Sequence, residues 1–203
     1  YQSHSAYTAP WWLPGGHTQT LYAALAVPRP RVAYRRERWD TPDDDFIDVD
    51  WVDEQSAVSR QPPASAAAGK VPLVVLFHGL EGSSRSHYAV ALMAAVRDAG
   101  WRGVVVHFRG CSGEPNRLAR AYHSGDTQEI DWIIRRFRAQ NAATPLFATG
   151  VSLSGNALLK WLGDYGESVA GIVDAAVAIS VPLDLMATGN ALGQGFNLVY
   201  TRN

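Results

Sequence analysis

The chain has 203 residues, of which 47% are hydrophobic and 18% charged, with a formal net charge of -1 at pH 7. That length suits one domain with a sizeable core, and the near balance of charge argues against nucleic acid or an anionic membrane surface as partner. A lone cysteine, Cys111, excludes an internal disulfide and a cysteine-rich zinc site and fits a reducing, cytoplasmic compartment.

Residues 1–30 read as an N-terminal arm. They show no basic region followed by an apolar run, so no secretory signal is read there, and a chain opening on Tyr1 is expected to have lost its start. Residues 31–40 and 46–52 read as two strands joined by the turn-forming TPDDD, an antiparallel edge pair within residues 31–55. The Ala-, Ser- and Pro-rich stretch 56–70 reads as an exposed loop. The core is expected over residues 71–203, making 1–203 a single α/β domain.

In that core, strand-like and helix-like segments alternate as β-α-β-α-β-α-β, the pattern of a mostly parallel sheet with helices on both faces. The strands are VPLVVLF (71–77), GVVVHF (103–108), PLFATG (145–150) and DAAVAISV (174–181), whose continuous apolar character predicts burial on both sides. None approaches the roughly 20 apolar residues that span a bilayer. Tyr88, Ala91, Leu92, Ala95 and Val96 repeat at helical spacing before a stop at Gly100. Ile130, Ile133, Ile134 and Phe137 form the apolar face of the next helix, with Asp126 and Glu129 near its start and Arg135, Arg136 and Arg138 towards water. A third helix is expected from about Gly155 to Tyr165, with Leu158, Leu159, Trp161 and Leu162 on its apolar face.

The segment TGVSLSGNALLKWL (149–162) sets Ser152 between a short strand and a helix. A reversal that sharp strains the central residue and tolerates only small flanking groups, here Gly150 and Gly155. The pattern is that of a nucleophile turn, in which the helix N-terminus faces the serine oxygen as it gains negative charge. The usual G-x-S-x-G spacing is broken by Ser154, which could cap the following helix. A Ser- and Gly-rich turn with purely local causes is the plain alternative. A second signal, HGLEGSS (78–84), follows the first core strand, where such an enzyme needs a backbone N–H facing the acyl oxygen. Leu80 is the candidate for that donor and Leu153, after the serine, for the other.

Taken together, PWWLPGGHTQT (10–20), HGLEGSSRSHY (78–88), HFRGCSGEPN (107–116), YHSGDTQEI (122–130), GVSLSGNALLKWLG (150–163) and ISVPLDL (179–185) resemble the YheT-like branch of the α/β-hydrolase superfamily, which includes esterases and lipases. The resemblance implies an α/β-hydrolase fold, Ser152 as nucleophile, and Leu80 and Leu153 lining the oxyanion hole. In that family a glycine usually stands where Ser154 is. The family's acid and histidine come from segments beyond the strand at 174–181, so the sequence reads as truncated before the last strands and before either group. His78, His87, His107 and His123 precede Ser152 and read as structural, while His4 and His17 lie in the arm. Asp184 could be the acid but reads better as a turn and helix-start residue beside Pro182. Cys111 reads as a loop residue, with no helix start or base beside it, and GLEGSS lacks the spacing and lysine of a phosphate-binding loop.

The expected activity is hydrolysis of a small-molecule or lipid carboxylic ester through an acyl-enzyme, with no metal or organic cofactor implied. Trp11, Trp12 and Trp161 offer an apolar acyl pocket or, more simply, packing. The alternatives are a non-catalytic hydrolase-fold scaffold or binding module and an acyltransferase using the same serine.

Overall fold

A computed structural model describes residues 8–52 and 71–200; His4, residues 53–55 of the edge segment and the loop at 56–70 lie outside the described residues. Among the described residues six strands are present, β1 (Tyr34–Asp40), β2 (Phe46–Val52), β3 (Leu73–Phe77), β4 (Arg102–His107), β5 (Leu146–Val151) and β6 (Ala175–Ile179). They form one sheet in the order β1-β2-β4-β3-β5-β6. β1 and β2 pair antiparallel at one end, β2 meets β4 antiparallel, and β4, β3, β5 and β6 run parallel.

The continuous apolar runs are explained by cover on both sides of the sheet. Alternate residues Leu73, Val75 and Phe77 of β3 join one cluster, and Val74 and Leu76 join the other. The helices α3 (Thr127–Gln140) and α4 (Leu153–Tyr165) pack in the first cluster through Ile130, Ile133, Ile134, Phe137, Leu158 and Trp161, while α2 (His87–Asp98) packs in the second through Ala89, Met93 and Val96.

Three helical details differ from the expectation. On α2 the buried face is Ala89, Val90, Met93, Ala94 and Val96, whereas Ala91 and Ala95 are exposed. Four alanines spread round this helix blur its period, and the longer Val90 and Met93 set which side is inward. On α3, Arg135 is exposed, but Arg136 lies over the Trp39 ring at 4.3 Å and Arg138 binds the Ile172 and Thr144 carbonyls, so only one of the three arginines faces open water. α4 begins at Leu153, two residues earlier than Gly155, and Leu159 is exposed.

One helix was not expected, and a second follows the helix start read at Asp184. α1 (Gly15–Leu25) lies in the arm with no buried residue, and α5 (Leu185–Leu192) follows β6, also with none buried. Trp11 and Trp12 are exposed, and Trp161 is buried in the core with its indole N–H donated to Asp131 at 3.0 Å. Burial of Trp161 removes it from any acyl pocket. Among the described residues no helix is long and apolar enough to cross a membrane.

Candidate active site

The two loops singled out by sequence leave the sheet side by side. β3 and β5 are parallel neighbours, with Phe77 opposite Gly150, so their carboxyl ends carry 78–82 and Ser152 off the same edge. β4 and β5 flank β3 on opposite sides, which makes this the point where the strand order reverses and where open α/β sheets leave a crevice.

Ser152 has φ 55° and ψ -118°, a left-handed conformation costly for a residue with a Cβ. The backbone around it explains how the strain is held. Its N–H donates to the Ile179 carbonyl of β6 at 2.8 Å, and its carbonyl accepts from Asn156 N–H at 3.1 Å as α4 begins. Strand and helix then cross at a distance only glycine allows. A Cβ on Gly150 would stand 2.7 Å from the Ser154 carbonyl oxygen and 2.8 Å from Gly155 Cα, and one on Gly155 would stand 2.6 Å from Val181 Cγ2.

Ser154, the residue out of keeping with the expected spacing, is not a helix cap. It is buried in the first turn of α4 and its hydroxyl donates to the His78 carbonyl, tying the helix start to the loop after β3. The serine hydroxyl thus has a local use that a glycine could not supply. At the N-terminus of α4 the first amides have no intrahelical acceptor, and Leu153 N–H is among them.

The loop after β3 rests on Ser152 through Gly79, where an added Cβ would lie 3.3 Å from Ser152 Cβ. Within it Gly79 N–H donates to the Tyr88 hydroxyl at 2.8 Å, Glu81 N–H to the Tyr122 hydroxyl at 2.6 Å, and Gly82 N–H to the Gly79 carbonyl at 3.0 Å. Leu80 N–H lies between them and has no acceptor among the described residues, while the Leu80 side chain is 68% exposed. The two tyrosines that pin the loop were not singled out by sequence, because one reads as helix face and the other as loop. Tyr122 stacks on Phe108 with rings 5.1 Å apart and 9° from parallel, and burial pushes its pKa up to about 12, which keeps the hydroxyl protonated.

His78 is buried beneath this loop. Phe108 N–H donates to its Nε2 at 3.2 Å and Nδ1 faces the Gly79 carbonyl at 2.7 Å, which fixes the tautomer with the proton on Nδ1. Desolvation pulls its pKa down to about 4, so the ring is neutral at ordinary pH. His107 faces the Asp50 carboxylate at 2.8 Å and the Cys111 carbonyl at 3.2 Å, and exposed His123 faces the Ser124 carbonyl. Among the described residues no imidazole is hydrogen-bonded to the Ser152 hydroxyl. Asp184 caps α5 by accepting from Ala187 N–H at 2.8 Å, the structural role expected of it. Burial raises the Cys111 thiol pKa, which disfavours the thiolate a nucleophile needs.

Beyond the loop, Arg109 is buried among Asp43, Asp45 and Glu129, each at 3.0 Å, and anchors the turn after β4 to the β1–β2 turn and to α3. Its carboxylate partner Glu129 is buried and ion-paired rather than water-facing at the helix start.

Comparison with known proteins agrees with this architecture. The family model described as alpha/beta hydrolase fold matches residues 72–202. The chain is 41% identical over 186 residues to YheT of Escherichia coli (strain K12), covering 92% of this chain and 51% of that protein. To Phospholipase ABHD3 of Homo sapiens it is 28% identical over 186 residues, covering 92% and 44%. The chain therefore spans about half the length of the curated relatives it matches. The Pyrococcus furiosus esterase Pf2001 superposes with a TM-score of 0.56 at 17% identity, over 78% of this chain and 56% of that one, a likeness of fold alone. With the family model spanning more than half of its length and the parallel sheet arranged as described, the chain belongs to the alpha/beta hydrolase fold family.

Proposed function

We propose that Ser152 is the nucleophile of a carboxylic ester hydrolase that works through an acyl-enzyme. The Ser152 oxygen attacks the ester carbonyl carbon and loses its proton to a base, while the carbonyl electron pair moves onto oxygen. That oxyanion accepts from Leu80 N–H and Leu153 N–H. Collapse expels the alcohol, protonated by the same base, and water repeats the sequence to release the acid. The base and its acidic partner come from the part of the protein that follows residue 203, in the chain order serine, acid, histidine.

The observation that carries this reading is the juxtaposition of a left-handed Ser152 at a helix N-terminus with the Gly79 backbone against its Cβ. Asp44, Glu81 and Ser180 also take positive φ, but Ser152 alone of these stands at the start of α4 with the Gly79 backbone against it. The relatives support the same class of chemistry: YheT bears an esterase name and ABHD3 is named a phospholipase.

The test is ester turnover by the full-length protein on p-nitrophenyl esters of graded chain length. Ser152→Ala is expected to lower kcat on the order of 10⁴-fold or more, and a variant that retains turnover would sink the proposal. Added alcohols distinguish hydrolysis from acyl transfer: the free acid is expected to remain the main product.

A further inference from the structure

The hydrogen bonds of the loop after β3 close round one donor that has no acceptor. The His78 carbonyl accepts from Ser154 Oγ, and the Gly79 carbonyl accepts from Gly82 N–H at 3.0 Å and from His78 Nδ1–H at 2.7 Å. Gly79 N–H is taken by the Tyr88 hydroxyl and Glu81 N–H by the Tyr122 hydroxyl. Ser84 Oγ donates to the buried Asp50 carboxylate at 2.6 Å, which fixes the far end of the loop. Leu80 N–H stands between the two occupied amides and is hydrogen-bonded to nothing among the described residues.

The two phenols hold different parts of the turn. Tyr88 stands on α2, whose place the core sets, and fills the space beside Gly82, where an added Cβ would lie 2.5 Å from its hydroxyl. Tyr122 stands on the long connection between β4 and α3. Its ring lies flat on Phe108 and meets His78 edge-on with centroids 6.2 Å apart, and its hydroxyl also hydrogen-bonds the Cys111 thiol.

What Tyr122 holds is the costly residue of the loop. Glu81 has φ 50°, a left-handed conformation in an exposed residue that carries a full side chain. Such a conformation persists only where its surroundings hold it in place. Without an acceptor on Glu81 N–H the residue would relax, swinging the adjoining peptides and Leu80 N–H with them.

We propose that Tyr122 is a positioning residue for ester hydrolysis, its hydroxyl holding the left-handed Glu81 so that Leu80 N–H stays aimed at the oxyanion. This role rests on the acyl-enzyme reading of Ser152 and adds to it a side chain that touches neither substrate nor nucleophile. Because the oxyanion forms only as the ester reacts, a misdirected donor slows turnover and leaves ester binding alone. A tyrosine that served stability alone would not produce that split.

The test is Tyr122→Phe in the full-length protein, which keeps the ring on Phe108 and removes the hydroxyl. With p-nitrophenyl butyrate, kcat is expected to fall about tenfold or more while KM stays within about twofold. Inhibition by an aryl trifluoromethyl ketone, whose serine adduct carries an oxyanion, is expected to weaken by the same factor. Hydrogen exchange is expected to quicken at the Glu81 amide while the β3 amides keep their protection. Tyr165→Phe, at the far end of α4, is expected to leave each of these readings at wild type. An unchanged kcat in Tyr122→Phe, where Ser152→Ala abolishes turnover, overturns the positioning role and spares the nucleophile. A fall in kcat matched by a rise in KM and a lower melting temperature makes Tyr122 structural only and overturns the role as well. Turnover that survives Ser152→Ala, or is absent from wild type, removes the nucleophile reading and the positioning role together.

Discussion

Ser152 is one of four described non-glycine residues at positive φ, where the fold stores local strain. A non-glycine residue at its φ and ψ costs on the order of 1–3 kcal/mol, and glycine would relieve this while adding about 0.5–1 kcal/mol of chain entropy to the unfolded state. Ser152→Gly is therefore expected to stabilise the protein by about 1 kcal/mol as it removes the proposed nucleophile, a result that thermal unfolding reads directly. His78 provides a second check at this scale. Its folded pKa, about 4, lies below its ordinary value, so its contribution to stability is complete above about pH 6.5 and is lost as pH falls from there towards 4. His78→Gln is expected to flatten the fall in unfolding free energy across that window, by an amount on the order of 3 kcal/mol; an unchanged pH profile would show that the buried imidazole is not responsible. The roles proposed for Ser152, Leu80 and Leu153 attach to positions in short motifs, which a sequence displays directly. Tyr88 and Tyr122 could not be found that way, because their hydroxyls reach amides 9 and 41 residues away. Only the folded register brings those partners together.

At the scale of elements, the β5–α4 crossing depends on two glycines that differ in what surrounds them. A methyl group on Gly150 meets backbone atoms at 2.7–2.9 Å, which have little room to move, whereas on Gly155 it first meets the Val181 side chain at 2.6 Å. Gly150→Ala is expected to cost about 3 kcal/mol and Gly155→Ala less, and equal effects in denaturant unfolding would contradict this account of the crossing. The strands were legible because burial on both faces leaves an unbroken apolar run. The face of α2 was misread because its alanines carry little information about direction, and α1 went unseen because GGHTQTLYAAL has no apolar stripe to bury. Ser154 illustrates a different limit. Its spacing read as a departure from pattern, but its hydroxyl binds the His78 carbonyl, a contact between segments far apart in sequence.

At the scale of the molecule, long-range polar contacts lock the loops that the sheet leaves free. Arg109 is buried against three carboxylates, so Arg109→Ala leaves buried Glu129 with only the longer Arg120 contact at 3.5 Å and is expected to cost about 3 kcal/mol, measurable in the same unfolding assay. The sequence announced the sheet but not this network, since charge in a loop ordinarily signals exposure. β6 closes the opposite end of the sheet with Val177 54% and Ile179 43% exposed, and an uncovered edge of that kind invites pairing with another chain. Residues 1–203 produced alone are expected to associate as concentration rises, less so with Val177→Lys, and sedimentation as a clean monomer throughout would contradict this. The central claim concerns one hydroxyl presented by a strained turn to amides that await negative charge. Its most direct test is intact-mass and peptide analysis of the full-length protein after treatment with a fluorophosphonate, which phosphonylates activated serines. One adduct per chain, mapped to Ser152 and absent from Ser152→Ala, is the predicted result; no adduct, or one that persists at another residue when Ser152 is replaced, would contradict the account.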